Sequence, residues 1–316
     1  MKRIDYFVDL GRRVPCLLCG SRETTPHSHA EGPPSAVLYP AFIESQGLYH
    51  VLPGSRTLVL DVRRETSSRT FALSEILGEE LPRLSRSVDC SSILLSGLEP
   101  AQVVEREPEQ FRSLSRSGLI TLIHTHGQFS AESLLVLQEV VDAAVVVVPT
   151  MTETTARRMG LVPAARLQAV IDGLLSRGIW VEARTELWPG VNDSEDEILA
   201  IAQALHRIDS RIPWHIVHGT GDSTELDLKM PPRGALAMAA EIADQAGLWY
   251  VYVPGVSDLN REITFCPGCE DAVLIERFQG HPGKSWLENN CCFACGREMD
   301  GLFTLSGPAR SPSEHD

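Results

Sequence analysis

Short apolar runs alternate with amphipathic stretches between residues 57 and 256. The apolar runs have the length of buried strands, whereas the stretches between them repeat with a helical period. The predicted strands are Thr57–Val62, Ser92–Ser96, Ile120–Thr125, Ala143–Val148, Ile179–Leu187, Trp214–His218 and Trp249–Val253. The predicted helices include Ser130–Val141, Arg166–Arg177, Ser194–Ile208 and Pro232–Gly247. Strands that alternate with helices predict an α/β protein whose parallel sheet forms a partial or full β/α barrel.

The segments on either side of this alternating region have a different composition. Residues 1–56 are rich in Pro, Gly, Ser and His, and we interpret them as an irregular N-terminal extension. We assign 57–256 to the barrel and 257–305 to a small cysteine-rich module. The tail at 306–316 has the composition of a disordered terminus.

Two C-x-x-C pairs predict a metal site in the C-terminal module. Cys266 and Cys269 form the first pair, and Cys292 and Cys295 form the second after a gap of 22 residues. This spacing is typical of a zinc ribbon, in which four thiolates complete the coordination shell and the metal is structural. Cys291 is an alternative to Cys292 as the ligand.

A second cysteine pair lies in the N-terminal extension. Cys16 and Cys19 are followed by His27 and His29, and this set of thiolates and imidazoles suits tetrahedral zinc. The alternative is a loop with two buried cysteines and exposed histidines.

Polar residues gather where the predicted strands end, at the edge where parallel barrels carry their chemistry. Glu182, Arg184 and Glu186 alternate along one strand and therefore share a face. His126 and His215 lie at or near the ends of two other strands. Inward-facing charges require partners or a ligand, so these residues are catalytic candidates. The alternative is a structural ion-pair network inside the barrel.

The charge and hydropathy of the chain disfavour two classes of binding partner, nucleic acids and membranes. The net charge of −14 disfavours binding to nucleic-acid phosphates. No apolar run approaches the ~18 residues of a membrane span, and the first residues lack the apolar stretch of a signal peptide. We therefore expect a cytoplasmic protein that acts on a small molecule, with no membrane or nucleic-acid partner; the sequence does not indicate its oligomeric state.

Several motifs resemble a known family. Pro213-Trp214-His215, the run Gly247–Val256 and the ribbon cysteines are similar to the radical-SAM member of the AmmeMemoRadiSam system, a relative of the pyruvate formate-lyase activating enzymes. The resemblance covers roughly residues 90–300 and implies a TIM-type radical-SAM barrel that binds S-adenosylmethionine (SAM). Separately, the use of three lysines against 25 arginines is typical of a GC-rich bacterial genome.

The resemblance also implies roles for individual residues. Ser96, Gly97 and Glu99 stand where the family holds the amino group of SAM, and Arg184 matches the arginine that binds its carboxylate. His215 matches a histidine that lines the SAM site. Thr125–Gly127 and Glu186–Ile198 correspond to two further turns of the family.

The chain departs from the family where the family binds its iron–sulfur cluster. The loop Arg63–Leu73 follows the first strand and contains no cysteine, so we expect no iron–sulfur cluster. Arg63, Arg64 and Arg69 of this loop are candidates to fill the space of the cluster and hold SAM.

These observations predict an enzyme that uses SAM as a substrate in polar chemistry at the sulfonium. Cyclisation to aminocyclopropane carboxylate with release of methylthioadenosine, and alkyl transfer to a small molecule, both fit. His215, Glu186, Glu182 and His126 are the candidate bases. The alternatives are an inactive barrel that serves as a scaffold, and a metalloenzyme that uses His124, His126 and His215.

Overall fold

The computed structural model describes residues 35–63, 71–72, 80–97, 99–219, 233–256, 259, 261–277 and 282–304. Its main feature is a nine-stranded sheet in the order β3-β1-β2-β4-β5-β6-β7-β8-β9. The strands are β1 (Ser35–Phe42), β2 (Arg56–Arg63), β3 (Phe71–Ala72), β4 (Ser92–Gly97), β5 (Ile120–Thr125), β6 (Ala143–Val147), β7 (Trp180–Leu187), β8 (Trp214–His218) and β9 (Val251–Tyr252). From β2 to β9 every neighbouring pair is parallel, as the alternation of strands and helices predicts.

Helices connect these strands. They are α1 (Glu80–Ser87), α2 (Pro100–Arg106), α3 (Pro108–Arg116), α4 (Ser133–Val140), α5 (Glu153–Met159), α6 (Ala164–Leu175), α7 (Glu195–Ile208) and α8 (Arg233–Gln245). The predicted start of α7 is confirmed, because the Ser194 hydroxyl accepts a hydrogen bond from the Glu197 amide.

The helices pack on one face of the sheet. Leu60, Ile93, Ile123 and Val181 point to this face and belong to one core with the apolar residues of the helices, such as Phe111. Helices on a single face leave the other face as the inside of a barrel, in contrast to a doubly wound sheet. The described strands form an open sheet with edges at β3 and β9, which agrees with a partial barrel.

The inner face is covered by a segment that the hydrophobic pattern did not predict. We call residues 43–52 the floor segment; it begins with a 3₁₀ helix, Ile43–Gln46. Ile43, Leu48 and Val51 are fully buried and pack against inward-facing residues such as Val59 and Leu122. The floor segment therefore fills the barrel at its amino-terminal side and leaves the carboxyl edge of the strands as the accessible end.

Strand β1 also lies within the part predicted to be irregular. It pairs antiparallel with β2 over its whole length, from Ser35 opposite Arg63 to Phe42 opposite Arg56. Pro40 within this strand interrupts the alternation expected of a strand, which explains why the pattern favoured a loop.

The cysteine-rich module contains a three-stranded antiparallel sheet. Its strands are β10 (Thr264–Phe265), β11 (Val273–Glu276) and β12 (Lys284–Ser285). Its core joins barrel residues, because Tyr49, Tyr250 and Tyr252 pack with Cys266 and Leu274. The module is thus continuous with the inner side of the barrel.

Candidate functional site

The carboxyl edge of the sheet carries a turn that is fixed by Glu99. Its buried carboxylate accepts a hydrogen bond of 2.5 Å from the Thr125 hydroxyl and longer ones from the amides of His126 and Gln128. Thr125 in turn accepts from the Gly127 amide. Glu99, which belongs to the motif predicted to hold SAM, therefore orients the backbone of residues 125–128 in the neighbouring turn.

Ser96 and Gly97 lie at the end of β4, beside the end of β2. Gly97 has a φ of 89°, and a Cβ at this position would lie 2.3 Å from the carbonyl oxygen of Val62 and 2.5 Å from Oδ1 of Asp61. The close approach of the two strand ends consequently requires glycine at this position. Arg63 ends β2, and its side chain is outside the described part of the structure.

Strand β7 presents its charged residues to the inner face, as its alternation predicts. Arg184 contacts Glu186, with 3.3 Å between Nη2 and Oε1, which is long for a charge-assisted hydrogen bond. The buried Nε of Arg184 has no hydrogen-bond partner among the described residues. The side chains of Arg184 and Glu186 are 22% and 34% exposed. Arg184 therefore retains donors for a further anionic group.

Glu182 lies deeper on the same strand and has different partners from those expected. The alternation places Glu182 on the same face as Arg184, but its carboxylate accepts hydrogen bonds of 2.9 Å from the amides of Tyr49 and His50. It also contacts Nε2 of His215 at 2.7 Å. Burial raises the pKa of Glu182, yet the hydrogen bonds from His215 and Tyr49 more than offset this and hold the pKa below its usual range.

His215 is fully buried beside Arg184 on the neighbouring strand. Burial lowers its pKa, against the opposing effect of Glu182, so the neutral ring donates from Nε2 to the carboxylate. Its Nδ1 has no hydrogen-bond partner within the described structure. The ring packs edge-on against Tyr49, with 4.6 Å between centroids, and stacks on Tyr252. His215 and Glu182 thus form a dyad that is enclosed by the floor segment and β9.

His124 and His126 lie at the end of β5 with parallel rings, 6.2 Å apart between centroids. Burial, together with the charge of Arg184, lowers the pKa of His124 to about 3, so this ring is neutral at pH 7. Its Nε2 atom is buried and lacks a partner in the described ranges. His126 is exposed at the edge of the sheet. His124, His126, Arg184 and Glu186 therefore form the polar cluster that we call the edge cluster.

The turn after β7 is held by Asn192, which is fully buried. Its Oδ1 accepts from the Trp188 amide, and its Nδ2 donates to the carbonyl oxygens of Pro149 and Glu186. This amide side chain joins the ends of β6 and β7, so the geometry of Glu186 is fixed from the following turn.

The histidines proposed for a barrel metal site are not brought together. In the part of the chain that the structure describes, the four ribbon cysteines are the one group of three or more His, Cys, Asp or Glu residues that is placed to share an ion. His124 and His126 stack on each other, whereas His215 is paired with Glu182. The prediction for a site of His124, His126 and His215 is therefore wrong in this structure. Cys16, Cys19, His27, His29 and Arg64 lie outside the described residues.

The four ribbon cysteines meet as the spacing predicts. The Sγ atoms of Cys266, Cys269, Cys292 and Cys295 all lie within 4.8 Å of one another. The Sγ of Cys266 accepts from the Gly268 amide, and that of Cys292 accepts from the Ala294 amide. Burial raises the pKa of Cys292, but amide hydrogen bonds from Cys295 and Ala294 more than offset it and lower the pKa to about 7. Of the two neighbouring cysteines, Cys292 belongs to the four-cysteine group, whereas the Cys291 thiol contacts the carbonyl oxygen of Asn289.

These distances fit a single metal ion. Zinc–sulfur bonds of about 2.3 Å place the thiolates of a tetrahedral site about 3.8 Å apart. The Sγ atoms of Cys266 and Cys295 are 3.6 Å apart, and those of Cys269 and Cys292 are 3.9 Å apart. In a cubane cluster each thiolate binds a different iron, which separates the thiolates more widely.

Sequence reasoning missed the residues that join the module to the barrel. His50 is fully buried and contacts the carbonyl oxygen of Asp300 and the Tyr252 hydroxyl, both at 2.7 Å. Arg277 donates to the carbonyl oxygens of Tyr49 and Glu262 and to the Thr264 hydroxyl. No motif marks these residues, because their partners lie far away in the sequence.

The described helices include none that is long and apolar enough to cross a lipid bilayer. This finding agrees with the hydropathy of the sequence.

Comparisons with known proteins complete the description. No family model matches the chain. It is 26% identical over 278 residues to an uncharacterized protein of Methanocaldococcus jannaschii, which covers 82% of this chain and 81% of that protein. Similar solved structures include a domain of the pyruvate-formate lyase-activating enzyme of Bacteroides vulgatus, with 18% identity, a TM-score of 0.45 and coverage of 52% of this chain and 99% of that one. They also include a radical SAM methyltransferase of Sphaerobacter thermophilus, with 16% identity and a TM-score of 0.49. This match covers 64% of the present chain and 66% of the methyltransferase.

Proposed function

We propose that the chain binds SAM at the carboxyl edge of its sheet and uses it in polar chemistry without an iron–sulfur cluster. The observation that carries this proposal is Arg184. Its guanidinium is partly exposed at the open end of the barrel and makes one long contact, to Glu186, among the described residues. Such a group is suited to bind the carboxylate of an amino acid through two parallel hydrogen bonds.

The turns around Arg184 support the same assignment. Glu99 fixes residues 125–128, and Asn192 fixes the turn after β7, so the backbone at the edge is held in place before a ligand binds. A site with fixed geometry loses little entropy when it binds its ligand. In this proposal Glu99 fixes the turn at residues 125–128, and Ser96 and Gly97 at the end of β4 hold the amino group of SAM.

The cysteine-free loop Arg63–Leu73 supports polar chemistry. A radical SAM cluster requires three thiolates near the amino acid end of SAM, and this loop supplies none. Nucleophilic displacement at a carbon beside the sulfonium requires an oriented substrate and a base. His126 and Glu186 lie at the open edge and are the bases that an acceptor molecule can reach.

Alkyl transfer to a small acceptor is the simplest reaction for this edge. The base removes a proton from the acceptor, the acceptor attacks a carbon bonded to sulfur, and the carbon–sulfur electron pair leaves with the thioether. Cyclisation to aminocyclopropane carboxylate instead requires removal of the much less acidic α-proton of SAM. Either route forms a neutral thioether from a sulfonium.

The four-cysteine site has a separate role in this proposal. We assign it to one structural zinc ion, which would be held by Cys266, Cys269, Cys292 and Cys295 and would stabilise the module when bound. The four thiolates leave no position for a substrate.

One observation favours a second function, which is SAM binding without turnover. Glu182 and His215 are fully buried and paired with each other, so these two predicted bases are not accessible in the structure. A protein of this kind would bind SAM through Arg184 and release it unchanged.

The test combines calorimetry with product analysis. Arg184→Ala should weaken SAM binding by roughly 2–4 kcal/mol, about 30- to 1000-fold, because it removes a bidentate charged contact. Arg177→Ala is the matched control, since Arg177 is another half-buried arginine, at the opposite edge of the sheet after α6. The control should bind SAM as the wild type does.

The products distinguish the reactions. S-adenosylhomocysteine indicates methyl transfer, whereas methylthioadenosine indicates aminocarboxypropyl transfer or cyclisation. Binding without any product supports the second function. Reductant-dependent 5′-deoxyadenosine, together with iron and sulfide in the purified protein, would contradict the proposal, as would the absence of SAM binding by the wild type.

A further inference from the structure

The C-terminal module contributes a buried cation to the inside of the barrel. Arg277, at the end of β11, is 5% exposed. Its Nη1 donates to the carbonyl oxygen of Glu262 at 3.1 Å and to the Thr264 hydroxyl at 2.8 Å, and its Nη2 donates to the carbonyl oxygen of Tyr49. Its Cζ also lies 4.1 Å from the centroid of the Tyr49 ring. Arg277 thus holds Tyr49 through both its backbone and its aromatic ring.

Tyr49 connects this cation to Glu182. The amides of Tyr49 and His50 donate to the two carboxylate oxygens of Glu182, each at 2.9 Å. The peptide group between Tyr49 and His50 accepts a hydrogen bond from Arg277 through its carbonyl oxygen and donates one to Glu182 through its amide. The position of the carboxylate therefore depends on the position of Arg277. Within the described residues no hydrogen bond or ion pair joins Arg277 directly to Glu182, so the floor segment is the connection between them.

Glu182 in turn lies next to the residue that is proposed to bind SAM. It shares a face of β7 with Arg184. Its other partner, His215, lies directly opposite Arg184 in the register of β7 and β8. Gly47, in the same floor segment, lies beside Arg184: a Cβ at position 47 would be in ordinary van der Waals contact with the guanidinium, at 3.7 Å. The floor segment therefore determines both the space below Arg184 and the distance from Arg184 to the Glu182 carboxylate.

We infer that Arg277 is a positioning residue for the edge cluster, which it controls through Tyr49, His50 and Glu182. This inference rests on the proposed function, in which Arg184 binds the carboxylate of SAM. When Arg277 is present, Glu182 is held by the floor segment and Arg184 remains available. When Arg277 is absent, the floor segment loosens and the Glu182 carboxylate is free to pair with Arg184. It then competes with the ligand.

The structure offers a matched pair of variants at the junction. Arg277→Met keeps an unbranched side chain but removes the guanidinium. Tyr250→Phe is the control, because it removes the hydrogen bond from Tyr250 to Asp300 at the same junction and does not touch the carbonyl oxygen of Tyr49. Arg277→Lys restores a donor for that oxygen without the planar guanidinium and serves as the conservative variant.

Two measurements test the inference on the full chain, with folding verified by circular dichroism. Arg277→Met should weaken SAM binding about tenfold in calorimetry, within the usual range for coupled sites, while Tyr250→Phe stays within about twofold of the wild type. Arg277→Lys should recover part of the lost affinity. In ¹⁵N spectra of histidine-labelled protein, the His215 ring signals should move in Arg277→Met and remain in place in Tyr250→Phe.

The outcomes separate this inference from the proposed function. If the wild type does not bind SAM, the proposed function fails, and the His215 signals still decide whether Arg277 controls the dyad. A folded Arg277→Met variant with unchanged affinity and unchanged His215 signals would overturn the inference. Equal losses of affinity in Arg277→Met and Tyr250→Phe would also overturn it, because they would show a general loosening of the junction.

Discussion

At the scale of single residues, Glu182 and His50 are two ionisable groups inside the barrel that hydrogen-bond to the backbone. The Glu182 carboxylate remains charged because two amides and one imidazole donate to it. His50 is held in the neutral form by its burial, which lowers its pKa to about 4 against the opposing effect of Glu182. Burial favours the neutral form of both groups, but it prevails only at His50, because the hydrogen bonds to Glu182 outweigh it and keep the carboxylate charged.

The His50 pKa predicts how stability depends on pH. The unfolded chain takes up a proton near pH 6.5, whereas the folded chain takes it up near pH 4, so His50 stabilises the fold fully above pH 6.5 and loses this contribution as the pH falls through about 4. The contribution of this residue is roughly 3 kcal/mol. The free energy of unfolding, measured with urea between pH 7 and pH 4, should decrease less steeply in His50→Gln than in the wild type.

His206→Gln is the control for this experiment, because His206 is exposed on α7. It should show the same pH dependence as the wild type. An unchanged slope in His50→Gln would mean that His50 is not the group that titrates.

At the scale of elements, the floor segment covers the apolar inner face of the sheet, on which no described helix of the outer layer packs. It contains one turn of 3₁₀ helix, yet it supplies Ile43, Leu48, Val51 and Leu52 to the inner core. A barrel of this type would otherwise expose Val59, Leu94 and Leu122 to solvent. The segment therefore behaves as part of the core and defines the depth of the site above it.

A matched pair of substitutions tests this role. Leu48→Ala should destabilise the protein by about 2–5 kcal/mol, because Leu48 is fully buried and its removal leaves a cavity. Leu199→Ala, on the exposed surface of α7 with 40% exposure, should change the free energy of unfolding by less than about 0.5 kcal/mol. Equal effects in urea unfolding would show that the floor segment does not pack as described.

At the scale of the whole molecule, the cysteine module and the barrel share one interior. Tyr49, Tyr250 and Tyr252 of the barrel pack with Cys266 and Leu274 of the module. Cys266 and Cys292 therefore belong to a packed interior that extends beyond the small sheet around them.

Neighbouring cysteines allow a sharp test of this connection. Cys292→Ser should remove one equivalent of bound zinc, measured by atomic emission, and should lower the melting temperature of the single unfolding transition. Cys291→Ser should keep the zinc and the melting temperature, since the Cys291 thiol points to the carbonyl oxygen of Asn289. Loss of zinc in both variants, or in neither, would contradict the ligand assignment.

The sequence predicted the elements well where the pattern is local. The predicted strands Ile120–Thr125 and Trp214–His218 agree with the structure, and the others differ by one or two residues at their ends. The shared face of Glu182, Arg184 and Glu186 follows from the same period of two. The partners of Glu182 could not be predicted, because they are backbone amides 133 and 132 residues earlier in the chain. Hydrophobic periodicity carries no information about such contacts.

The candidate site shows the same division. The motifs located the turn at Thr125 on the carboxyl edge and the cysteine group of the module, because the turn and each C-x-x-C pair are short segments of continuous sequence. Arg277 and His50 were missed, since neither belongs to a repeating pattern and each acts through residues of another element. The enclosure of His215 also depends on the floor segment, whose own course is set by tertiary packing.

The β-bridge between Val51 and Leu302 has a consequence for folding during synthesis on the ribosome. Leu52 donates to the carbonyl oxygen of Leu302, and Leu302 donates to that of His50, so the floor segment is paired with nearly the last residues that the structure describes. Contacts of such long range slow folding, and domains generally begin to fold during synthesis. The helices and strands can therefore assemble while the chain is still being made, but the side of the floor segment that faces the cysteine module gains its partners only after residue 302 has emerged. Until then Tyr49, Tyr250 and Tyr252 lack the module residues against which they pack.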